Sequence, residues 1–503
     1  MKILFIDIDT LRPDHLGCYG YPRNTSPNID AIAADGVRYS DYYCSDAPCL
    51  PSRAALMTGR FGIHTGIVGH GGTAADMRLA GAGRGMQDRN MFHNLPAVLK
   101  RCGLYTASIS SFAERHGAWW FAAGFNECLS TTNKRGLEIA DEVTPVALDW
   151  LERNKNRDNW FLHMHLWDPH TPYRTPASEG EPFKNEPVPQ LSWMNEELLA
   201  YQRQHEVGQH TACEVNGYND QVNEDQPRQL GAINSVEDFV KNINEYDTGV
   251  WYADKHVGII LDKLKKMGIY EETAIIVTSD HGESLGEGGI YDEHGEADYF
   301  VTHIPMIIKW PGGAKNVASA GFHYNLDLLP TLMELMDVPE ISANTKVVGQ
   351  PLSALYDGES YADTLLEGKD GGREYLVVSQ CAHICQRSVR FGDWMYTRTY
   401  HDGYHLLPDE ALHNIKADPA KQYNAADEYR EVCWHGAYYL ERWLSENMKS
   451  QVYDYQIDPM WTVIAEGGPF HCKNKLSEYC DRLNKTGRGW AAEALRKRHP
   501  KEL

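Results

Sequence analysis

The sequence predicts an α/β fold: a large, mostly parallel sheet flanked by helices, followed by a smaller C-terminal α+β domain with an antiparallel sheet. Three observations carry this expectation. Short apolar runs of strand length recur along the first 310 residues. They alternate with stretches of helical periodicity, the pattern of a parallel sheet covered by helices. From about residue 376 the pattern changes to apolar–polar alternation, in YLVVSQ and SVRFGDWMYTRTY, which suits antiparallel strands.

Lys2–Ile8 reads as a short buried strand, Asn28–Asp35 (NIDAIAAD) as a helix and Val37–Tyr43 as a second extended run. Residues 95–102 look helical and lead into a strand at Tyr105–Ile109. Val143–Arg153 reads as a helix and Trp160–Leu166 as a strand. Val236–Met267 carries long helical periodicity, with Val250, Ala253, Val257, Ile260, Leu261 and Leu264 on its apolar stripe. Strands follow at Ala274–Thr278 and Pro305–Trp310, the latter ended by Pro311-Gly312-Gly313. Residues 174–235 are rich in Glu, Gln, Asn and Pro and weakly periodic. They read as an insertion over one end of the sheet, either a solvated excursion or a wall of a ligand pocket. The expected division is 1–375 for the main domain and 376–503 for the C-terminal part, with a closing helical segment from about Glu428. No internal repeat is visible.

The net charge of −22 over 503 residues argues against nucleic acid or an anionic membrane as a partner. An anionic ligand would have to be held by a local cluster of Arg, Lys and His. No apolar run approaches membrane-spanning length. The opening MKILFIDIDTLRPD has an apolar-biased run too short for a signal peptide, and no small-residue cleavage site follows. With Met1 as the start, a cytoplasmic location is expected. The eleven cysteines are odd in number and scattered, which reads as free thiols. Cys381 and Cys385 lack a second pair, so no zinc site is expected there.

The strongest chemical signal is Cys49-Leu50-Pro51-Ser52-Arg53, continuing as AALMTGR. Pro51 suits the first turn of a helix and Gly59 its C-terminal cap. Cys49 would then sit at a helix N-terminus, which favours an anion and lowers the pKa of a plain thiol. Here the chain resembles the type I, formylglycine-dependent sulfatases of the alkaline phosphatase superfamily, from residue 3 to about 427, including a late DPAKQYNAAD segment. The resemblance implies an alkaline-phosphatase-like sheet and conversion of Cys49 to formylglycine by a maturation enzyme that reads CLPSR. It also implies attack on sulfur by the aldehyde hydrate, whose second hydroxyl then releases sulfate.

Two acids follow strands: Asp9 in IDIDTLRPD and Asp280, with His281, in IIVTSDHGES. Ligands in such sheets gather at the carboxyl ends of strands. By resemblance, Asp9, Asp280, His281 and the converted Cys49 hold a divalent cation, expected to be Ca2+, with Mg2+ or another ion open. Many relatives have a second Asp where this chain has Thr10. Asp7, two residues earlier, is expected to be structural. In WDPHTPY, His170 takes the family's place near the leaving oxygen. His163 and His165 lie inside the preceding strand and read as core or supporting histidines. Two lysines typical of the family are missing. His116 and Arg115 stand in for a G-K-W-H motif, and His294, with His303 behind it, for the second lysine as a cationic sulfate contact that titrates near neutrality. Arg53 is expected to bind the formylglycine oxygen and sulfate.

For substrate recognition, Arg387, Arg390 and Arg398 form an alternating basic stretch, and Trp119, Trp120, Trp167 and Tyr173 could stack on sugar rings. The function expected is removal of O-sulfate from a small sulfated saccharide, plausibly derived from glycosaminoglycan. Two alternatives stand beside it: a phosphonate monoester or phosphodiester hydrolase of the same superfamily, and a binding protein on a decayed scaffold.

Overall fold

Alternation within the first strand decides the layering. In β1 (Lys2–Ile8) every residue is buried. Leu4, Ile6 and Ile8 join one core, while Ile3 and Phe5 join the core on the other face, because successive side chains of a strand point to opposite sides. The computed structural model describes residues 1–77, 93–222, 224–338, 346–347, 350–351, 356–449 and 457–503.

The other strands are β2 (Val37–Tyr43), β3 (Asp46–Ala47), β4 (Tyr105–Ile109), β5 (Glu127–Leu129), β6 (Trp160–Leu166), β7 (Thr273–Thr278), β8 (Ser284–Leu285), β9 (Tyr291–Glu293), β10 (Met306–Lys309), β11 (Val317–Tyr324), β12 (Lys346–Val347), β13 (Gln350–Pro351), β14 (Leu376–Gln380), β15 (Cys385–Phe391), β16 (Trp394–His401) and β17 (Glu410–Asn414). Eight of them form the main sheet, in the order β11-β2-β10-β7-β1-β6-β4-β5. β10 runs antiparallel to both of its neighbours, and the remaining pairings are parallel. The mostly parallel sheet expected from the sequence is therefore present.

Helices cover both faces. Pro27–Ala34, Ala140–Arg153 and the long Val236–Lys266 pack on the side of Leu4, Ile6 and Ile8. Cys49–Thr58, Leu95–Arg101 and Leu328–Leu335 pack on the side of Ile3 and Phe5. The helix starts are held by tertiary partners as well as local caps. Asp254 of the long helix accepts from the backbone N–H of Asn28 and Ile29, and Asp168 accepts from Ala140 N–H. Each thus satisfies donors that a helix leaves unpaired.

The smaller sheet has the order β17-β16-β15-β14-β3. Its last member, β3, comes from just before Cys49 and pairs in parallel with β14. The expected boundary at residue 375 is thus bridged by two residues too short to show a strand pattern. Helix Arg430–Lys449 packs on this sheet through Cys433, Leu440 and Trp443. Three more helices follow, Pro459–Ala465, Leu476–Lys485 and Gly489–Arg498. The last two build a small core that includes Val207 of the insertion and Tyr404. The insertion itself contains a helix, Glu196–His205, and is tied to the long helix by Arg228 and Glu245 at 2.5 Å. Among the described residues, no helix is long and apolar enough to cross a membrane.

Two predictions follow from this packing. A Cβ on Gly249 would lie 2.8 Å from Asp168 O and 3.0 Å from Pro169 Cα. Gly249→Ala should therefore lower stability by about 1–3 kcal/mol, read as a fall in denaturation midpoint; no fall would show that the long helix has room to move. At the C-terminus, His499 meets Asp402 at 2.8 Å and Glu502 at 3.0 Å. Burial opposes its charge, but the two carboxylates outweigh that and raise its pKa from 6.5 to about 9. A raised histidine pKa stabilises the fold fully below the unfolded value of 6.5 and is lost as pH climbs through 9. The stability gap between wild type and His499→Gln should shrink from pH 6 to pH 10. A gap that stays constant removes the ion pair from this role.

Candidate active site

Strand register sets the geometry. Asp7 shares the face of Ile3 and Phe5, opposite His165 on the neighbouring strand, and Phe5 lies opposite His163. That face receives helix Cys49–Thr58. Asp9 and Asp280 lie just beyond the ends of β1 and β7, which are adjacent in the sheet. Thr10 turns the chain there with φ 56°, a conformation costly for a β-branched residue. It is held by Leu11 N–H on Ser279 Oγ at 2.9 Å, and its own carbonyl accepts from Tyr246 Oη at 2.7 Å. The helix begins at Cys49 and ends at Gly59 in the left-handed region, φ 66°, as the motif predicted.

Arg53 lies at the centre. Its Nε donates to Asp7 at 2.8 Å, Nη1 to Asp280 at 2.5 Å, and Nη2 to Asp9 at 3.1 Å and to His165 Nε2 at 2.7 Å. Its guanidinium lies over Phe112 and Trp167. Arg53 is wholly buried behind the acids and is not among the residues lining the cavity. It pairs with three carboxylates at once, Asp7 from behind Asp9 and Asp280.

Asp9, Cys49, Asp280 and His281 each bring one ligand atom within 4.8 Å of the others. Asp9 Oδ1 is buried without a hydrogen-bond partner, 3.8 Å from His281 Nε2 and 4.0 Å from His170 Nε2. His281 Nδ1 donates to Gly282 O at 2.8 Å, leaving its Nε2 lone pair toward the acids. Burial and the neighbouring Asp9 and Asp7 charges push Asp280 up, despite Arg53. An orphaned carboxylate oxygen, surplus negative charge and an oriented imidazole fit a divalent cation.

The Cys49 thiol donates to His281 Nε2 at 3.1 Å. Burial, and then Asp9 and Asp280, push its pKa well above the ordinary thiol value. This corrects the lowered value expected at a helix N-terminus: the nearby acids and loss of water outweigh the dipole. His170 contacts the Thr171 carbonyl through Nδ1, so its Nε2 is the free nitrogen. His294 packs 4.2 Å from His281, ring to ring; its Nε2 lies 3.1 Å from a Glu293 oxygen, which accepts from the His294 backbone N–H at 2.8 Å. Burial lowers His294 to about 3. The cationic contact titrating near neutrality that was expected at His294 is therefore a neutral imidazole. His303 lies elsewhere, bonded to Ser40 O and stacked on Tyr299.

These groups open into a cavity of about 1130 Å³. Cys49, Arg115, His116, His170 and His294 line it. Arg115 lies over Trp167 and, among the described residues, pairs with no carboxylate. His116 is held at about 3 by burial and then by Arg115. The insertion supplies Gln209, His210, Asn216, Asn219, Gln221 and Gln229 to the wall, which favours the pocket-wall reading of 174–235.

The substrate residues expected in the C-terminal sheet are engaged elsewhere. Arg387 pairs with Asp458 at 2.7 Å, Arg390 with Asp41, Tyr43 and Gly392, and Arg398 with Glu410 at 3.6 Å. Trp167 and Tyr173 are buried, the latter on Asp292 at 2.8 Å, and neither lines the cavity. Trp119 is exposed and Trp120 buried, both outside the lining. Sequence reasoning missed His70, His383 and His471, and the outer wall of Lys475, Tyr479, Arg482 and Lys485. Isolated histidines and a charged surface helix carry no spacing that would mark them.

Comparison with known proteins agrees with this geometry. A sulfatase family model matches residues 2–338. The uncharacterized sulfatase YidJ of Escherichia coli is 27% identical over 459 residues, covering 85% of this chain and 84% of its own. A structure solved with its substrate D-glucosamine-2-N,6-O-disulfate superposes with a TM-score of 0.64 at 20% identity, covering 89% of this chain and 97% of that one. The phosphonate monoester hydrolase of Agrobacterium radiobacter gives 0.62 at 20%, covering 90% and 96%. The match spans about two thirds of the sequence and contains the Cys49 motif and both acids, so the chain belongs to the sulfatase family and is a sulfuric ester hydrolase.

Proposed function

We propose that this chain removes O-sulfate from a small sulfated saccharide of glycosaminoglycan origin, with residue 49 acting as formylglycine beside Ca2+. The observation that carries the reading is the state of Cys49. A thiol pushed far above its ordinary pKa by burial and two acids is a poor nucleophile, yet it stands at the meeting point of the acids, His281 and the cavity. Conversion to a hydrated aldehyde supplies a hydroxyl there whose deprotonation does not depend on the thiol. The motif is almost wholly buried, Cys49 at 1% and Arg53 at 0% exposure, so the maturation enzyme would have to meet CLPSR before the helix packs.

A cation held by Asp9, Asp280, His281 and residue 49 supplies positive charge against the charge that develops on sulfate. His170, neutral through burial and with Nδ1 on Thr171 O, has Nε2 free to take a proton from the residue 49 hydroxyl and return one to the leaving oxygen. Arg115 supplies the fixed positive charge assigned by resemblance to a lysine, while His116 and His294 contribute as neutral hydrogen-bonding groups. The amide-rich wall of the insertion suits sugar hydroxyls, which both donate and accept. The saccharide reading is supported by the fold shared with the glucosamine disulfate complex.

Two measurements test this reading. Matured protein should release sulfate from one regioisomer in a panel of sulfated uronic acid and hexosamine disaccharides, and Cys49→Ala should lower turnover by at least about 10³-fold, the scale seen when a nucleophile is removed. Turnover of a phosphonate monoester or phosphodiester with no sulfate release would move the chemistry to phosphorus. Asp280→Asn should weaken Ca2+ binding about tenfold or more, read by calorimetry on folded protein. Unchanged affinity would take Asp280 out of the cation site.

A further inference from the structure

Beside His294 and His116, three further histidines from distant segments converge. His70 follows helix Gly62–Thr65, His383 sits between β14 and β15, and His471 lies between helices Pro459–Ala465 and Leu476–Lys485. All three line the cavity. Each offers one ring nitrogen within 4.8 Å of the other two. His70 Nδ1 and His471 Nε2 are 2.9 Å apart, and the rings of His383 and His471 are stacked at 4.1 Å. Nitrogens bound to Zn2+ at about 2.0–2.1 Å in a tetrahedron stand roughly 3.3 Å apart, so the measured separation needs little adjustment.

The surroundings prepare these rings for a metal. His383 is 4% exposed. Its Nδ1–H donates to Gln209 Oε1 at 3.0 Å, which fixes the tautomer and leaves Nε2 as the lone-pair nitrogen; supporting partners commonly orient metal-binding histidines in this way. That Nε2 is buried and has no hydrogen-bond partner. His471 N–H bonds Ala382 O at 3.0 Å, coupling its loop to that of His383. The Glu293 carboxylate stands 3.6 Å from His383 Nε2 and adds favourable charge. Burial holds His70 and His383 well below the ordinary histidine value and His471 at about 4, so all three are in the neutral form that binds metal.

We propose that His70, His383 and His471 form a second metal site, separate from the acid cluster, for a borderline divalent ion of the Zn2+ class. Three imidazoles and no thiolate suit Zn2+ and its transition-metal neighbours better than Ca2+ or Mg2+, which prefer oxygen. Three ligands leave a fourth position facing the cavity, where water or an oxygen of a bound ligand can enter. The ion would also join the main domain to the C-terminal helices. The site shares no residue with Asp9, Cys49, Asp280 and His281 and does not depend on the reaction assigned to them.

The test uses Co2+, whose tetrahedral nitrogen complexes absorb in the visible. Full-length Cys49→Ala protein, stripped with chelator, removes any contribution from that thiol. On titration it should bind Co2+ with tetrahedral bands. Adding His383→Ala or His471→Ala should abolish the bands or weaken binding at least tenfold, while adding Asp280→Asn should leave them intact. His70→Gln removes a ligand from a loop without disturbing the C-terminal core, and should give the same loss if either alanine variant fails to fold. The proposal is overturned by absence of the bands in the parent, by bands that persist in the folded histidine variants, or by bands lost with Asp280→Asn.

Discussion

Three carboxylates and one guanidinium are buried together where β1 and β7 meet helix Cys49–Thr58. Charges taken out of water are tolerated only when paired and fully hydrogen-bonded. Arg53 meets Asp7, Asp9 and Asp280 at 2.5–3.1 Å, yet its single charge cannot balance three. The surplus appears in the rise of Asp280 and in the orphaned oxygen of Asp9. A cation at this corner would complete the set. Period-two alternation turns Asp7 toward Arg53, strand ends present Asp9 and Asp280, and the Phe112 and Trp167 rings close over the guanidinium.

The same helix links the two sheets. Cys49 follows β3 after a single residue, and β3 is the edge of the smaller sheet through β14. A shift of the C-terminal sheet would therefore pull on the first turn of the helix that carries residue 49. Asn325 reinforces the joint by donating to Ser52 O and Ser52 Oγ and accepting from Ser45 N–H. The C-terminal part thus supports the backbone of residue 49 and, through residues 470–486, walls the cavity.

Much of this could be read in the sequence, for local reasons. The Cys49 motif, the acids at strand ends and the long helix Val236–Lys266 are each encoded by neighbouring residues. What escaped depends on partners far along the chain. Arg387 read as a substrate residue because Asp458, 71 positions away, gave no sign of neutralising it. β3 is two residues long and exists only through pairing with β14. His383 and His471 are 88 residues apart, and nothing in either segment points to the other. His294 was found by its place in a motif, but its neutrality comes from burial, which outweighs the pull of Glu293 toward the charged form; the motif describes neither.

That neutrality changes how this cavity can hold an anion. A family site with lysines attracts sulfate by charge. Here His116 and His294 are each held near 3, and His170 and His281 are also lowered by burial. The chain as a whole carries −22, so long-range attraction is absent as well. On the proposed reading, recognition is left to short-range elements, Arg115 and a cation at the acid cluster. Both would act within the cavity, where charge on sulfate grows during bond cleavage. Hydrogen bonds from neutral imidazoles add direction without adding affinity for every anion that enters. On the proposed reading such a site would place its charge where the transition state needs it, which raises turnover, more than where ground-state sulfate does.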